Sequence, residues 1–283
     1  MVFREKEDIV TDQAWGHLYE RLENDGLLPG DGRVKQLFWQ TATFKWAAAV
    51  AVVLCVLSGW YMMRYTDAPS KDLLVLHNEA NAPTLAKMLE DGSVVYLSEQ
   101  TSLRYPDRFA DNKREVILDG EAFFEVSKNA ERPFLINTDL ATIEVVGTSF
   151  NVKSNDPSSF LLSVRDGEVR VTLKRQQQVV SVKAGETALF DSDQLQLLKT
   201  GAHRFDEYIK RIHFKDERLD NIARIINMNS DSLQLSIAPG LEGRLLTFTT
   251  SGSSPSTAAE LISLALHLQY SQQENTIYIS QRE

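Results

Sequence analysis

An uncharged run of eighteen residues most constrains what this chain can fold into. Residues 46–63 read WAAAVAVVLCVLSGWYMM and are bounded by Lys45 and Arg64. A helix of this length rises about 27 Å, close to the hydrocarbon thickness of about 30 Å, and aromatic residues stand at both ends. We therefore expect a transmembrane helix at 46–63 in a single-pass membrane protein. A buried soluble helix would need a large core around it, and a cleaved signal peptide would not follow so long an acidic segment.

The basic residues that flank the run predict its orientation. Arg33, Lys35 and Lys45 precede it, whereas Arg64 and Lys71 follow it. Since basic residues are retained on the cytoplasmic side, we expect a cytoplasmic N-terminus, with the larger C-terminal part across the membrane.

The N-terminal segment, residues 1–45, carries a short amphipathic helix. Trp15, Leu18 and Leu22 recur at helical spacing, and Asn24-Asp25-Gly26 is a stop signal. A segment this short seldom folds alone, so its apolar face needs a partner. Because the polar face is acidic rather than basic, we favour the groove of a protein partner over a helix that lies on the bilayer.

Composition excludes several classes of function. The net charge of -9 argues against direct nucleic-acid binding, and the single cysteine, Cys55, excludes an intramolecular disulfide framework. The five histidines are scattered, and no nucleophile elbow or phosphate loop is present. Glu121 and Glu125 share a predicted strand face, and we interpret them as exposed carboxylates rather than an acid/base pair. We expect no enzyme, no catalytic residues, no cofactor and no metal.

The rest of the chain divides into three parts. Residues 64–83 are polar and read as a tether. Residues 84–200 show short alternating apolar runs between Asp-Gly pairs, which predicts an all-β domain with tight turns. Residues 205–283 show a strand, a helix and a strand, and then a second such round, with Leu268 ending the second helix; this predicts a small α+β domain.

Several motifs of the β domain occur together in a characteristic order. They are LEDGSVVYLSEQTSLRYPDRF, REVILDGEAFFEVSKNAERPFLINT, IEVVGTSFNV, VRDGEVRV and AGETALF, within residues 85–190. This series resembles the FecR family of membrane-bound anti-sigma regulators. Read physically, the motifs maintain the fold: Phe123 and Phe150 are predicted core residues, and Gly147 marks a bulge or a close approach. Residues 205–283 resemble the domain that accompanies FecR in Bacteroidetes-type bacteria.

The resemblance implies an inner-membrane regulator with a cytoplasmic N-terminus and a periplasmic C-terminus. Its cytoplasmic segment would bind an extracytoplasmic-function sigma factor through Trp15, Leu18 and Leu22. Its periplasmic part would receive the signalling domain of a TonB-dependent outer-membrane receptor. Exposed edge strands at Val94–Leu97 or Ile277–Ser280 are the predicted docking sites for a partner strand.

Two other classes of function stay open from the sequence. One is a membrane-anchored periplasmic module that binds a ligand or glycan without sigma regulation. The other is an anchored hydrolase with a pocket around Glu121, Glu125 or a histidine. Neither accounts for both the N-terminal helix and the C-terminal domain.

Overall fold

A computed structural model describes residues 15–18, 20–26, 54–56, 58, 73–156, 158–191, 194–199, 205–251 and 254–282. The chain divides into two compact units, Met1–Asp67 and Ala68–Glu283. Of the predicted transmembrane segment, only residues 54–56 and 58 are described, and these are helical. No helix among the described residues is long and apolar enough to cross a membrane. The predicted span otherwise lies outside the described residues.

The unit Ala68–Glu283 is mostly β-structure. Its described strands are β1 Leu73–Asn78, β2 Thr84–Met88, β3 Val94–Leu97, β4 Thr101–Pro106, β5 Arg114–Glu125, β6 Phe134–Asn137, β7 Ala141–Val145, β8 Ser149–Asp156, β9 Ser159–Asp166, β10 Glu168–Leu173, β11 Val179–Lys183, β12 Glu186–Asp191, β13 Gln194–Lys199, β14 Arg211–Arg218, β15 Gln234–Ile237, β16 Leu245–Ser251, β17 Leu268–Gln273 and β18 Thr276–Gln281. Its described helices are α1 Asp206–Lys210, α2 Leu219–Met228 and α3 Pro255–Leu266.

Strand β5 belongs to two sheets at once. Its first half pairs with β4 and β6, and its second half pairs with β3 and β8. The change occurs at Gly120, whose φ is 120° and where a Cβ would lie 2.8 Å from the Cα of Thr101. Asp119-Gly120 is therefore not the predicted turn between strands: it bends one long strand. The Asp-Gly pairs at Gly92 and Gly167 do lie between strands, with positive φ.

The two sheets enclose the first hydrophobic core. The first sheet runs β1-β4-β5-β6-β7-β10-β11, and the second runs β13-β12-β9-β8-β5-β3-β2-β14-β16. Alternate residues from both sheets meet in this core, as the period of two along a strand requires. Phe150 is fully buried here, as predicted, and stacks on Phe124 at 5.5 Å between ring centroids. The predicted all-β domain is confirmed.

The family motifs converge on one buried cation, Arg114. Its guanidinium donates to the carboxylate of Asp91 at 2.7 Å and to the carbonyl oxygens of Arg132 and Ser127 at 2.8 and 2.9 Å. Asp91 also accepts from the hydroxyl and the amide of Ser93. A buried charge must be paired and hydrogen-bonded. These contacts therefore hold the loops against the sheet, in agreement with the prediction that the motifs maintain the fold.

The C-terminal residues form the predicted two rounds, arranged on both sides of a second core. β14 pairs with β16 and, in parallel, with β2, so these strands extend the second sheet. A separate sheet has the order β15-β18-β17. Helices α2 and α3 contribute apolar residues to the core shared by these elements. Strand β1 lies in the segment predicted as a tether and pairs with β4.

Both predicted docking edges are wrong. β3, Val94–Leu97, pairs with β2 and β5, and all four of its residues are buried. β18, which contains Ile277–Ser280, is the central strand of its sheet. Alternation gives the two faces of a strand but does not give its neighbours, so the sequence could not place these edges.

The second helix of the C-terminal segment ends before Leu268. His267 adopts a left-handed conformation, with φ 56° and ψ 40°, and caps α3 after Leu266. Leu268 then begins β17, a strand that the sequence analysis missed because its residues after Leu268 are polar and exposed.

Candidate functional site

The predicted sigma-binding residues lie on a helix. Residues 15–18 and 20–24 are helical, and Gly26 follows with φ 66°, as the predicted stop signal requires. Trp15 is 61% exposed and Leu18 is 45% exposed, whereas Leu22 is half-buried. Large apolar side chains this exposed on a short helix are available to a partner. That the partner is a sigma factor stays a prediction.

A second candidate site is the seam where the C-terminal residues meet the FecR-like sheets. The outer face of β3 and β5 forms one side of the seam, and α1, α2 and β14 form the other. Phe123 of β5 is fully buried at its centre. Its ring centroid lies 5.7 Å from that of Tyr96 and 5.6 Å from those of both Phe205 and Tyr208. The core residue predicted from the sequence thus joins the two halves.

A polar network continues from this aromatic cluster. The hydroxyl of Tyr96 donates to Glu125 at 2.9 Å, and the side-chain amide of Asn229 donates to Tyr96 at 2.8 Å. Arg165 pairs with Glu125 and lies over the ring of Phe123, 4.9 Å from its centroid. Burial, together with the charge of Glu125, raises the pKa of Tyr96 well above its ordinary value. Tyr96 therefore stays a neutral donor that connects α2 to the β-sheet.

A second hydrogen-bond network surrounds Tyr208 of α1. Its hydroxyl donates to Glu121 and accepts from the side-chain amide of Asn151. Lys153 pairs with the same carboxylate, Glu121, at 2.9 Å. The FecR-like sheets thus supply hydrogen-bond partners to Tyr208, and α1 supplies a donor to Glu121.

An ion pair joins the two halves at a third point. Lys87 of β2 contacts Glu217 of β14 at 2.8 Å, and the side chain of Glu217 is only 1% exposed. Asn221 donates to the other carboxylate oxygen at 2.6 Å. Breaking one partner would leave a buried charge, so this contact also holds the halves together.

Glu121 and Glu125 are not the exposed carboxylates that we expected from the sequence. Glu125 is 8% exposed, and its two oxygens accept from Tyr96 and Arg165. Glu121 is paired with Lys153 and Tyr208. Both carboxylates therefore take part in the contacts that form the seam. Among the described ranges, no group of three or more His, Cys, Asp or Glu residues is placed to hold a metal ion.

The seam residues outside the family motifs were missed by sequence reasoning. Tyr208 and Asn229 stand in short polar contexts that carry no periodic signal. The one usable signal was the run Val94–Leu97, whose consecutive apolar residues are typical of a strand that is buried on both faces.

An open cleft of about 880 Å³ lies at one end of the seam. Its lining includes Glu121 and Lys153 from the sheet, and Lys210 and Arg211 from the α1–β14 corner. The mixed charges suit a polar rather than an apolar ligand.

Comparison with known proteins places part of this unit in a family. Residues 84–170 match the model of the FecR protein family. Two crystal structures of a "putative anti-sigma factor" from Parabacteroides distasonis ATCC 8503, at 1.65 and 2.50 Å resolution, each show 22% identity and a TM-score of 0.46. Each comparison covers 75% of this chain and 100% of the other. A comparison with curated proteins gives no match.

The matched residues run from the first residue of β2 into β10, so they include β5 and the Arg114 network. Of the motifs quoted above, only AGETALF lies wholly outside them, and VRDGEVRV extends one residue beyond them. The resemblance is thus confirmed, and residues 84–170 belong to the FecR family.

Proposed function

We propose that this chain is a single-pass inner-membrane regulator of an extracytoplasmic-function sigma factor. The FecR match of residues 84–170 carries the proposal, because the resemblance to that family implies an anti-sigma regulator. The exposed Trp15 and Leu18 support a cytoplasmic contact, and the uncharged run at 46–63 supports an anchor between the two parts. The proposal assigns the chain no catalytic step.

The periplasmic unit would receive its signal from a TonB-dependent receptor. Three sets of contacts fix the C-terminal residues to the FecR domain. Force on one of these two parts, or a partner bound to it, would therefore be transmitted to the other. Such coupling requires the receptor to bind two arrangements of the chain with different affinity. The N-terminal helix would then hold the sigma factor in only one of them.

A binding assay with matched variants tests the cytoplasmic half of the proposal. The full chain is co-expressed with each sigma factor encoded near it, and complexes are recovered through a tag on the chain. We expect Trp15→Ala and Leu18→Ala to weaken capture at least tenfold, since each removes an apolar anchor. His17→Ala is the control, because its side chain is exposed on another face of the same helix. Equal capture by all variants would contradict the assigned residues, and no capture by the native chain would contradict the function.

The seam cleft favours one second candidate, a periplasmic module that binds a polar ligand such as a glycan. In that case Trp15→Ala would leave transcription of the neighbouring genes unchanged. A substitution in the cleft, such as Lys210→Glu, would abolish ligand binding. The two functions are therefore separated by one reporter assay.

A further inference from the structure

Strand β1 forms one edge of the first sheet and begins with an exposed apolar patch. Among the described residues, β1 pairs only with β4. Its first three residues are Leu73, Leu74 and Val75, which are 39%, 44% and 65% exposed. We call these three side chains the β1 patch. Folded proteins normally protect an apolar edge strand with charges, prolines or a covering element, so the β1 patch needs a cover.

The surroundings of the β1 patch are apolar and weakly basic. On the outer face of the sheet, Leu73 lies beside its cross-strand neighbour Pro106, and Val75 lies beside Arg104. Arg104 is exposed and carries the one formal charge of β1 and β4 together. The pair Asp107-Arg108 follows and adds no net charge. An apolar patch beside an arginine suits the boundary between lipid acyl chains and phosphate headgroups.

The length of the chain limits how far the β1 patch can lie from a bilayer. Nine peptide bonds connect Arg64, which closes the uncharged run at 46–63, with Leu73. Nine residues reach at most about 30 Å, whatever their conformation. If the uncharged run spans the membrane, the start of β1 therefore always stays within that distance of the bilayer. This limit rests on the proposed function, which anchors the chain at that run.

A lipid surface is a more suitable cover for the β1 patch than another protein. A stable protein interface needs about 20 residues on each side, and the patch offers three exposed apolar side chains. A bilayer needs no such area, because the covalent link keeps it at a high effective concentration around the patch. A second copy of this chain would also bring together two net charges of -9.

We propose that the start of β1 lies on the surface of the membrane that anchors the chain. The β1 patch enters the boundary between headgroups and acyl chains, and Arg104 binds a lipid phosphate. Tyr105, which is half-buried beside Leu74, lies at the headgroup level, where tyrosines are enriched. The contact sets the orientation of the FecR-like sheets, with β11, the opposite edge of the first sheet, away from the bilayer.

Quenching of a fluorescent label by lipid tests the contact in the full chain. Cys55 is the only cysteine, so Cys55→Ala gives a background in which Val75→Cys places a single label. The labelled chain is reconstituted in vesicles of phosphatidylethanolamine and phosphatidylglycerol that include a lipid with a nitroxide on its acyl chain. The control label is at Val179→Cys, because Val179 is an exposed valine of β11, six strand spacings or up to about 29 Å from β1. We expect about threefold stronger quenching at position 75 than at position 179.

A second substitution tests whether the apolar side chains make the contact. In the chain labelled at position 75, Leu73→Asp should lower the quenching by about half, because a charge resists entry into the acyl boundary. Leu73 is exposed at the end of its strand, so thermal unfolding should match that of the labelled parent. Gln178→Asp adds the same charge at an exposed position before β11 and should leave the quenching unchanged.

The outcomes separate the membrane contact from the proposed function. Equal quenching of the two labels, in chains that stay with the vesicles after an alkaline wash, would overturn the contact and leave the sigma regulator standing. A label at position 75 that is shielded from water but not quenched by lipid would reveal a protein cover and would also overturn the contact. If the chain does not stay with the vesicles, the anchor fails, and both the contact and the inner-membrane function fail with it.

Discussion

Truncation of Phe123 to alanine would test whether the seam makes one folding unit of residues 68–283. The ring is fully buried and contacts Tyr96, Phe205 and Tyr208, with Arg165 over its face. Removing a buried phenylalanine costs about 3–5 kcal/mol, and the lost aromatic and cation–π contacts place this site in the upper half of that range. In a unit of this size the melting temperature should fall by about 10 °C.

The assay compares Phe123→Ala with Phe150→Ala in residues 68–283, which form one compact unit. Both rings are fully buried, but Phe150 lies in the first core, away from the seam. Urea unfolding gives the loss of stability, and amide hydrogen exchange locates it. We expect α2 and β18 to exchange ahead of β5 only in Phe123→Ala, because that variant loosens the seam. A loss below 1 kcal/mol, or the same exchange pattern in both variants, would refute the reasoning.

Three further predictions concern single residues of the same unit. Tyr96→Phe should flatten the loss of stability in alkaline urea titrations: the unfolded tyrosine ionises near pH 10.0 and the folded one well above it, so the native chain loses stability as the pH rises beyond that value. Gly147→Ala should lower the free energy of unfolding by about 2 kcal/mol, because φ is 153° and a Cβ would lie 2.7 Å from the Cα of Lys128. Arg114→Ala should cost about 3–5 kcal/mol in the same measurement, since Asp91 would keep a buried, unpaired charge.

Each of these variants has a control within the chain. Tyr270→Phe removes an exposed hydroxyl and is the control for Tyr96→Phe. Gly185→Ala shares a positive φ but meets nothing within 4 Å, so it isolates the steric part of the Gly147 effect. Arg170→Ala removes an exposed ion pair and should cost under about 1 kcal/mol. If any control matched its test variant, the local explanation would fail.

Much of the β domain was predictable because its signals are local. Alternating runs gave strands, Asp-Gly pairs gave two real turns, and the motif series gave the family. The same locality explains the failures. Asp119-Gly120 has the composition of a turn, yet it lies within β5 and bends that strand. The chain continues as a strand at this point because the two halves of β5 pair with different neighbours.

The candidate sites divide in the same way. The helix with Trp15 and Leu18 follows from spacing alone, and the structure confirms its helical form. The roles of Tyr208 and Asn229 do not follow, because each hydrogen-bonds a residue far away in the sequence. No sequence pattern around Tyr208 or Asn229 indicates its distant hydrogen-bond partner.

The sequence by itself determined which residues are apolar, how they alternate, and therefore which faces must be covered. The tertiary structure alone decided what covers them. Val94–Leu97 required burial on both faces, but only the pairing of β14 with β2 brought the C-terminal residues over the outer face. The same assembly placed β18 at the centre of its sheet and left β17 open. Periodicity is a local property of the chain, whereas strand order is set by long-range packing, so an open edge exists only in the folded molecule.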